Sequence, residues 1–525
     1  MPDIVLVNPP AERAAGPLGE HLGLGYMSSS LKAAGMSVTI LDAYLDRLSL
    51  ARTVAAIEAE SPPPRILGFT LVNEQAWHRV QYIVRQLRDD GYDPFVVLGG
   101  YYATFWYDRL LANPTADAVV LGEGEATMVE LAGCVMDGGE VGRVAGLAYR
   151  DGDAVRETAP RRMIANLDEL PFPDRPRLKE TVRRGGIPSV FSSRGCFHAC
   201  SFCQVSQLWR RQPGPPYRTR SVENVLREIE SIVAESGARA ILFTDGEFIG
   251  SGRVGRARAW EFGRELMRRG LDVAFGVECR VDSIERELFA HLKNAGLALI
   301  FVGLESMTQR SLDSYHKRTT VAANLAAIDT LESLGLDYDV GLLLHDPYTT
   351  VEELKETVNW LRRIPSMPLA LIGVNVLRGT PLADNLRETG LLDESEMTLA
   401  ARPVDPAIRK LELVLRQYIN IYVPATNNLM DARMLLMTVS GVPTVWRQRF
   451  DQARARLKTL HLQFLDDIVR CLGDNDYETA GTVLTDMGRE FAVFTPETES
   501  ILRGVRHFAG FLDPPASSGG AIGRG

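Results

Sequence analysis

Two stretches of the 525-residue chain alternate short apolar runs with amphipathic helical segments, and this alternation restricts the fold more than any other feature. In the first stretch IVLVNPP, VTILDA, ILGFTLV, FVVLGGYY and AVVLGEGE are separated by segments such as GYMSSSLKAAG and WHRVQYIVRQLRDDG. In the second, from Ser189 to about Leu382, the runs are PSVFSSRG, ARAILFTDGE, DVAFGVECR, LALIFVGLES, DYDVGLLLHD and LALIGVNVLRG, again with helices between them. Apolar runs joined by helices make parallel sheets covered on both faces. The expected fold class is therefore α/β: an N-terminal doubly wound, Rossmann-like sheet, a central partial (β/α)6 TIM-like barrel, and a mostly helical C-terminal domain.

The boundaries expected are 1–142 for the doubly wound domain and 143–185 for a hairpin around Asp151-Gly152-Asp153 with a proline-stiffened linker. The barrel follows over 186–385, the helical domain over 386–512 and a small, polar, disordered tail over 513–525. In both sheet types ligands gather beyond the carboxyl ends of the strands. Pro9, Gly99, Gly100 and the Gly122-Glu123-Gly124 turn stand at such ends in the first domain.

A formal charge of −9 argues against general nucleic-acid binding, which needs a clustered positive surface. No window reaches the roughly 18 apolar residues of a membrane span. Six scattered cysteines do not form a secreted disulfide framework, and MPDIVLVNPP lacks a basic signal region. The expectation is a reduced, cytoplasmic protein.

Against this sparing use of thiols, RGCFHACSFC (residues 194–203) sets Cys196, Cys200 and Cys203 within eight residues. A structural zinc site needs four ligands, and only His198 lies near, inside the loop itself. Disulfides do not suit the compartment or the odd number. An iron–sulfur cluster remains: three thiolates on a four-iron cubane leave one iron without a protein ligand, open to a substrate's amino and carboxylate groups.

The C-x3-C-x2-C spacing just after the first barrel strand resembles the radical S-adenosylmethionine (SAM) superfamily. The resemblance implies a 4Fe-4S cluster on the three cysteines, SAM on the open iron, and one-electron cleavage of SAM to a 5′-deoxyadenosyl radical. It places Phe202 near the adenine, Asp245, Gly246 and Glu247 at the SAM amino group, Arg280 at the carboxylate and Glu305 near the ribose. Many relatives carry a second acid where this chain has Gly246. The doubly wound domain ahead of the barrel is similar to the cobalamin-binding subgroup, class B methyltransferases among them. That likeness implies a cobalamin cradle at Pro9, Gly99, Gly100, Tyr101, Thr104, Gly122, Glu123, Gly124 and Glu125. The Asp-x-His-x-x-Gly motif of classical cobalamin proteins is missing, because His21 is preceded by Glu20 with the wrong spacing. No histidine of the chain is therefore expected on the lower face of the cobalt.

The activity implied is methyl transfer from SAM through methylcobalamin to a carbon of a small-molecule or peptide natural-product intermediate. Flavodoxin or ferredoxin would supply electrons, with no nucleic acid or membrane partner. The two cofactors would face each other across one cavity, lined by Trp209 and Tyr217 and closed by the C-terminal helices. A cyclase or ring-rearranging enzyme, a polar methyl transfer without SAM cleavage, and a non-catalytic sensor are the alternatives. A methylthiotransferase would need a second cluster, for which Cys134, Cys279 and Cys471 are too dispersed. Replacing one ligand discriminates: Cys200→Ala is expected to lose the cluster absorbance and all 5′-deoxyadenosine formation while cobalamin binding survives. Retained SAM cleavage would contradict the assignment.

Overall fold

The apolar runs of the first domain are β1 (Ile4–Asn8), β2 (Val38–Asp42), β3 (Ile66–Thr70), β4 (Phe95–Gly99) and β5 (Ala118–Val120), all parallel, in the order β2-β1-β3-β4-β5. This is a computed structural model, and it describes residues 3–11, 19–368, 370–439, 441–474 and 476–510; the tail expected at 513–525 lies outside them. Val5, Val7, Leu67, Val96 and Leu98 are buried almost completely, as strands covered by helices on both faces require. Strand order reverses between β1 and β3, which opens a crevice beyond their carboxyl ends.

The turn at Gly152-Asp153 joins β6 (Leu147–Asp151) to β7 (Ala154–Glu157), and β6 pairs antiparallel with β5. The hairpin thus completes the first sheet to seven strands, past position 142 where the domain was expected to end.

The barrel strands are β8 (Ser189–Val190), β11 (Ala240–Phe243), β12 (Ala274–Arg280), β13 (Leu297–Glu305) and β14 (Asp337–Leu342); a small antiparallel pair, β9 (Ser193–Gly195) and β10 (Tyr217–Thr219), lies between the first two. The five parallel strands follow one another in chain order. Among the described residues the sixth expected strand does not form a ladder. It is reduced to a bridge between Val340 and Pro368, with Leu344 N–H donating to Ile372 O and Val374 N–H to His345 O. Pro368 has no N–H to offer a ladder, so regular pairing stops where it starts.

The helices Pro406–Thr438, Thr444–Asp474 and Tyr477–Phe508 form the C-terminal bundle. Met434 packs with Ile187, Ala240 and Leu299, and Arg433 pairs with Asp337 and Asp339. These partners lie at or near the amino ends of the strands. The bundle therefore plugs the bottom of the barrel and does not close the cavity at its carboxyl end, contrary to the sequence expectation. No helix among the described residues is long and apolar enough to cross a membrane.

Between the first domain and the barrel lies a buried charge cluster. Glu228, on the helix Val222–Ser236, accepts from Arg175 of the linker and from Arg220, and Tyr26 of the helix Leu22–Ala33 reaches the same carboxylate. The side chains of Glu228, Arg220 and Arg175 are 1%, 2% and 8% exposed, so removing the acid strands two buried cations. Glu228→Ala is expected to cost about 3–5 kcal/mol in urea unfolding, as breaking a buried pair does. An unchanged midpoint would show that water reaches the cluster.

Candidate functional site

The cysteine loop begins at a position only glycine can fill. Gly195 has φ +88°, and a Cβ there would lie 1.8 Å from Pro216 O, next to the facing strand β10. The loop that follows is pinned from the barrel side. Ser201 N–H donates to Tyr315 O at 2.9 Å, Leu382 N–H donates to Ser201 O at 2.9 Å, and Cys203 N–H donates to Cys200 O at 3.2 Å. Cys203 is followed at once by the helix Gln204–Arg210.

Burial pushes the Cys196 thiol up to about 11 and raises Cys203, with the neighbouring cysteines adding to both. Such thiols become ligands when a cationic metal displaces their protons. Among the described residues no three His, Cys, Asp or Glu side chains are arranged to hold a single metal ion. Three soft thiolate donors from one short loop fit an iron–sulfur cluster. His198 is spent on its neighbour, 4.1 Å from the Phe197 ring centroid.

Arg280 stands beside this loop, with Nη1 3.6 Å from Cys200 Sγ and its other nitrogens on Asp282 and Lys317 O. Its guanidinium is thus hydrogen-bonded within the protein beside the cysteine loop. Asp245 is 1% exposed and accepts from Ser192 N–H, Ser192 Oγ and Ser193 Oγ, so it fixes the root of the loop. Glu247 is fully buried and accepts from Arg280 N–H, Ile249 N–H and Ser283 Oγ. Both carboxylates are hydrogen-bonded within the protein, and neither lines the cavity described below. Glu305, at φ +63°, pairs with Lys317 Nζ at 2.6 Å. Phe202 packs edge-on against Tyr315, with ring centroids 5.1 Å apart.

A cavity of about 660 Å³ runs from the crevice of the first sheet to the mouth of the barrel. Gly99, Gly100, Tyr101 and Gly122 to Glu125 line it from the first domain; Gly195, Val205, Trp209, Thr244, Gly246 and Glu278 line it from the barrel side. A Cβ on Gly99 would meet nothing within 4 Å, so that strand end is an open cradle. Pro9 and Thr104 are buried away from the lining, Thr104 Oγ1 accepting from Gly122 N–H. Tyr217 is likewise absent from the lining; its ring faces Phe197.

Glu123 and Glu125 have another use. Arg194 donates to Glu123 at 2.8 Å and to Glu125 at 2.5 Å, and Arg218 adds two bonds to Glu123 at 2.8 and 2.9 Å. Arg194 lies 4.6 Å from the Phe191 ring centroid and 5.3 Å from that of Tyr26. Burial alone would raise Glu125, but Arg194 holds it below the usual carboxylate range. These acids join the two domains over the cavity, and the arginines that hold them carry no signal in the sequence. His21 also lines the cavity. Its Nδ1 accepts from Leu24 N–H at 3.1 Å and its Nε2 lies 3.3 Å from Thr70 Oγ1. Both ring nitrogens thus have protein partners.

The chain matches the B12 binding domain over residues 13–132 and the Radical SAM superfamily over residues 190–361. It is similar to an uncharacterized methyltransferase, PH0819, of Pyrococcus horikoshii, 30% identical over 369 residues, which are 69% of this chain and 78% of the relative. It is 30% identical over 354 residues to the anaerobic magnesium-protoporphyrin IX monomethyl ester cyclase of Rubrivivax gelatinosus, covering 65% of this chain and 61% of that protein. In fold it is similar to the cobalamin-dependent SAM radical enzyme OxsB, solved with aqua-cobalamin, with TM-score 0.74 and 17% identity over 96% of this chain and 80% of that one.

The geometry of the loop makes its own prediction. Gly195→Ala is expected to prevent iron and sulfide from being retained after anaerobic reconstitution, while the far-UV spectrum stays unchanged. Full iron content in that variant would show that the hairpin root is not needed to present the cysteines.

Proposed function

The chain belongs to the cobalamin-binding radical SAM enzymes, and from that premise we propose that it transfers a methyl group from SAM, by way of cobalamin, to a carbon of a small-molecule or peptide intermediate. When bound, the cluster with SAM supplies a carbon-centred radical and cobalamin supplies the methyl group. One observation carries the reading: the strand ends of the first domain and the root of the cysteine loop are walls of the same cavity.

The work of the chain is to hold and separate these groups. Cys196, Cys200 and Cys203 would ligate the cluster, and the Asp245–serine bonds fix the loop that carries them. Arg280, at hydrogen-bond distance from Cys200 Sγ, places positive charge on a ligand sulfur. The glycine-lined ends of β3 and β4 would take the corrin, with Gly100 at φ +97° set so close to Leu71 O that a Cβ there would lie 2.9 Å from it. Leu208, Trp209 and Phe191 cover the cavity with apolar surface that excludes water. A flavodoxin or ferredoxin would deliver the electrons.

The cyclase relative favours one competing reading, in which cobalamin is bound but no methyl group leaves. SAM alone distinguishes them. Protein reconstituted with iron, sulfide and hydroxocobalamin, then incubated anaerobically with SAM and a strong reductant, is expected to form both S-adenosylhomocysteine and 5′-deoxyadenosine. Formation of 5′-deoxyadenosine without S-adenosylhomocysteine would favour the cyclase; S-adenosylhomocysteine alone would favour a polar methyl transfer. Loss of the corrin spectrum on desalting would remove cobalamin from the account altogether.

A further inference from the structure

Glu278 has no part in the contacts described so far. It occupies strand β12, and its side chain lines the cavity at the barrel mouth. No hydrogen-bond or ion-pair partner faces its carboxylate among the described residues, whereas the other acids around the cysteine loop are engaged. Asp245 is held by serines, Glu247 by Arg280 N–H and Ser283, Glu305 by Lys317, and Asp282 by Arg280. The Glu278 side chain is open to solvent within the cavity, and enclosure by the cavity walls, the larger cause, together with the negative Asp245 and Glu305 raises it to about 7. A lone carboxylate in a negative field, facing a cavity, is a receptor for a cation.

Its position selects the cation. The β11–β12 ladder ends at Leu242↔Gly276, and beyond it Phe248 N–H donates to Glu278 O at 3.0 Å, so the turn that follows β11 runs beside Glu278. Gly246 lies in that turn, two residues before Phe248; it lines the same cavity as Glu278 and carries no acid in this chain. The cysteine loop is across from both, since a Cβ on Gly246 would lie 3.6 Å from Gly195 O.

We propose that Glu278 binds the α-ammonium group of SAM, supplying from the third barrel strand the carboxylate that the second strand lacks at Gly246. The inference rests on the SAM-binding reading above. It gives the role expected of Asp245 and Glu247 to an acid that lines the cavity and, among the described residues, has no partner for its carboxylate.

SAM binding to the reconstituted, cluster-loaded protein tests it, with SAM and its analogue lacking the α-amino group as probes in equilibrium dialysis. Iron, sulfide and corrin content confirm that each variant is intact. Glu278→Gln is expected to weaken SAM about tenfold or more, the loss of one charge-assisted contact, and to leave the desamino analogue unaffected. Adding Gly246→Asp to the Glu278→Gln variant is expected to restore SAM affinity, because the position has ordinary clearance, 3.5 Å to Val205 Cγ1, and no left-handed φ. Glu278→Asp, which keeps the charge, should retain most of the discrimination between the two probes. Wild-type SAM affinity in Glu278→Gln, or an equal loss for both probes, would overturn the assignment. Should Glu278→Gln fail to hold the cluster, the wild-type protein still decides: equal affinity for SAM and the desamino analogue would exclude an ammonium contact. Failure of the wild-type protein to bind SAM at all would instead count against the family-based reading of the site.

Discussion

The arginine pair Arg194 and Arg218 grips Glu123 and Glu125 from across the domain boundary, and the cavity exists because of that grip. All four side chains are nearly inaccessible to water. Each charge costs free energy to bury and is compensated only by its partners. In the docking observed each of these acids faces a buried arginine. Arg194 also immediately precedes Gly195, so the residue that fixes the first domain adjoins the root of the cysteine loop. A second clasp, the paired bonds from Arg378 to Asp108 at 2.6 and 2.8 Å, holds the far side of the same boundary.

From that docking the rest of the site follows. The crevice at the strand reversal of the first sheet opens toward the carboxyl ends of the barrel strands, so the two ligand-bearing ends that each fold provides meet face to face. The bundle of long C-terminal helices secures the opposite end of the barrel, where Arg433 is matched by Asp337 and Asp339. Stability is concentrated at the bottom and chemistry at the top.

The strand series and the cysteine loop were legible from sequence because periodicity and spacing are local. The side-chain roles at the strand ends were only partly so. In TDGE the side chains alternate past the end of β11, before the backbone bends from Gly246 on. The structure turns Thr244 and Gly246 to the cavity, and this sends both acids into the protein. The same alternation on β12 puts Glu278 and Cys279 on opposite sides, Glu278 at the cavity and Cys279 in the core. Reading that parity would have found Glu278 without coordinates. Glu123 and Glu125 are different: their partners lie 69 to 95 residues away, and nothing in GEGE distinguishes a ligand contact from an interdomain ion pair. The sixth strand was overread because an apolar run preceded by a proline has the composition of a strand without the donor at its start.

The central claim is that one cavity holds both the cluster and the corrin. Electron paramagnetic resonance tests it most directly. In protein carrying both the reduced cluster and cob(II)alamin, two unpaired electrons within one cavity interact through space, and the account predicts that each signal is broadened or split relative to protein holding either group alone. Spectra that are the plain sum of the two separate signals would place the centres in different parts of the molecule and contradict it.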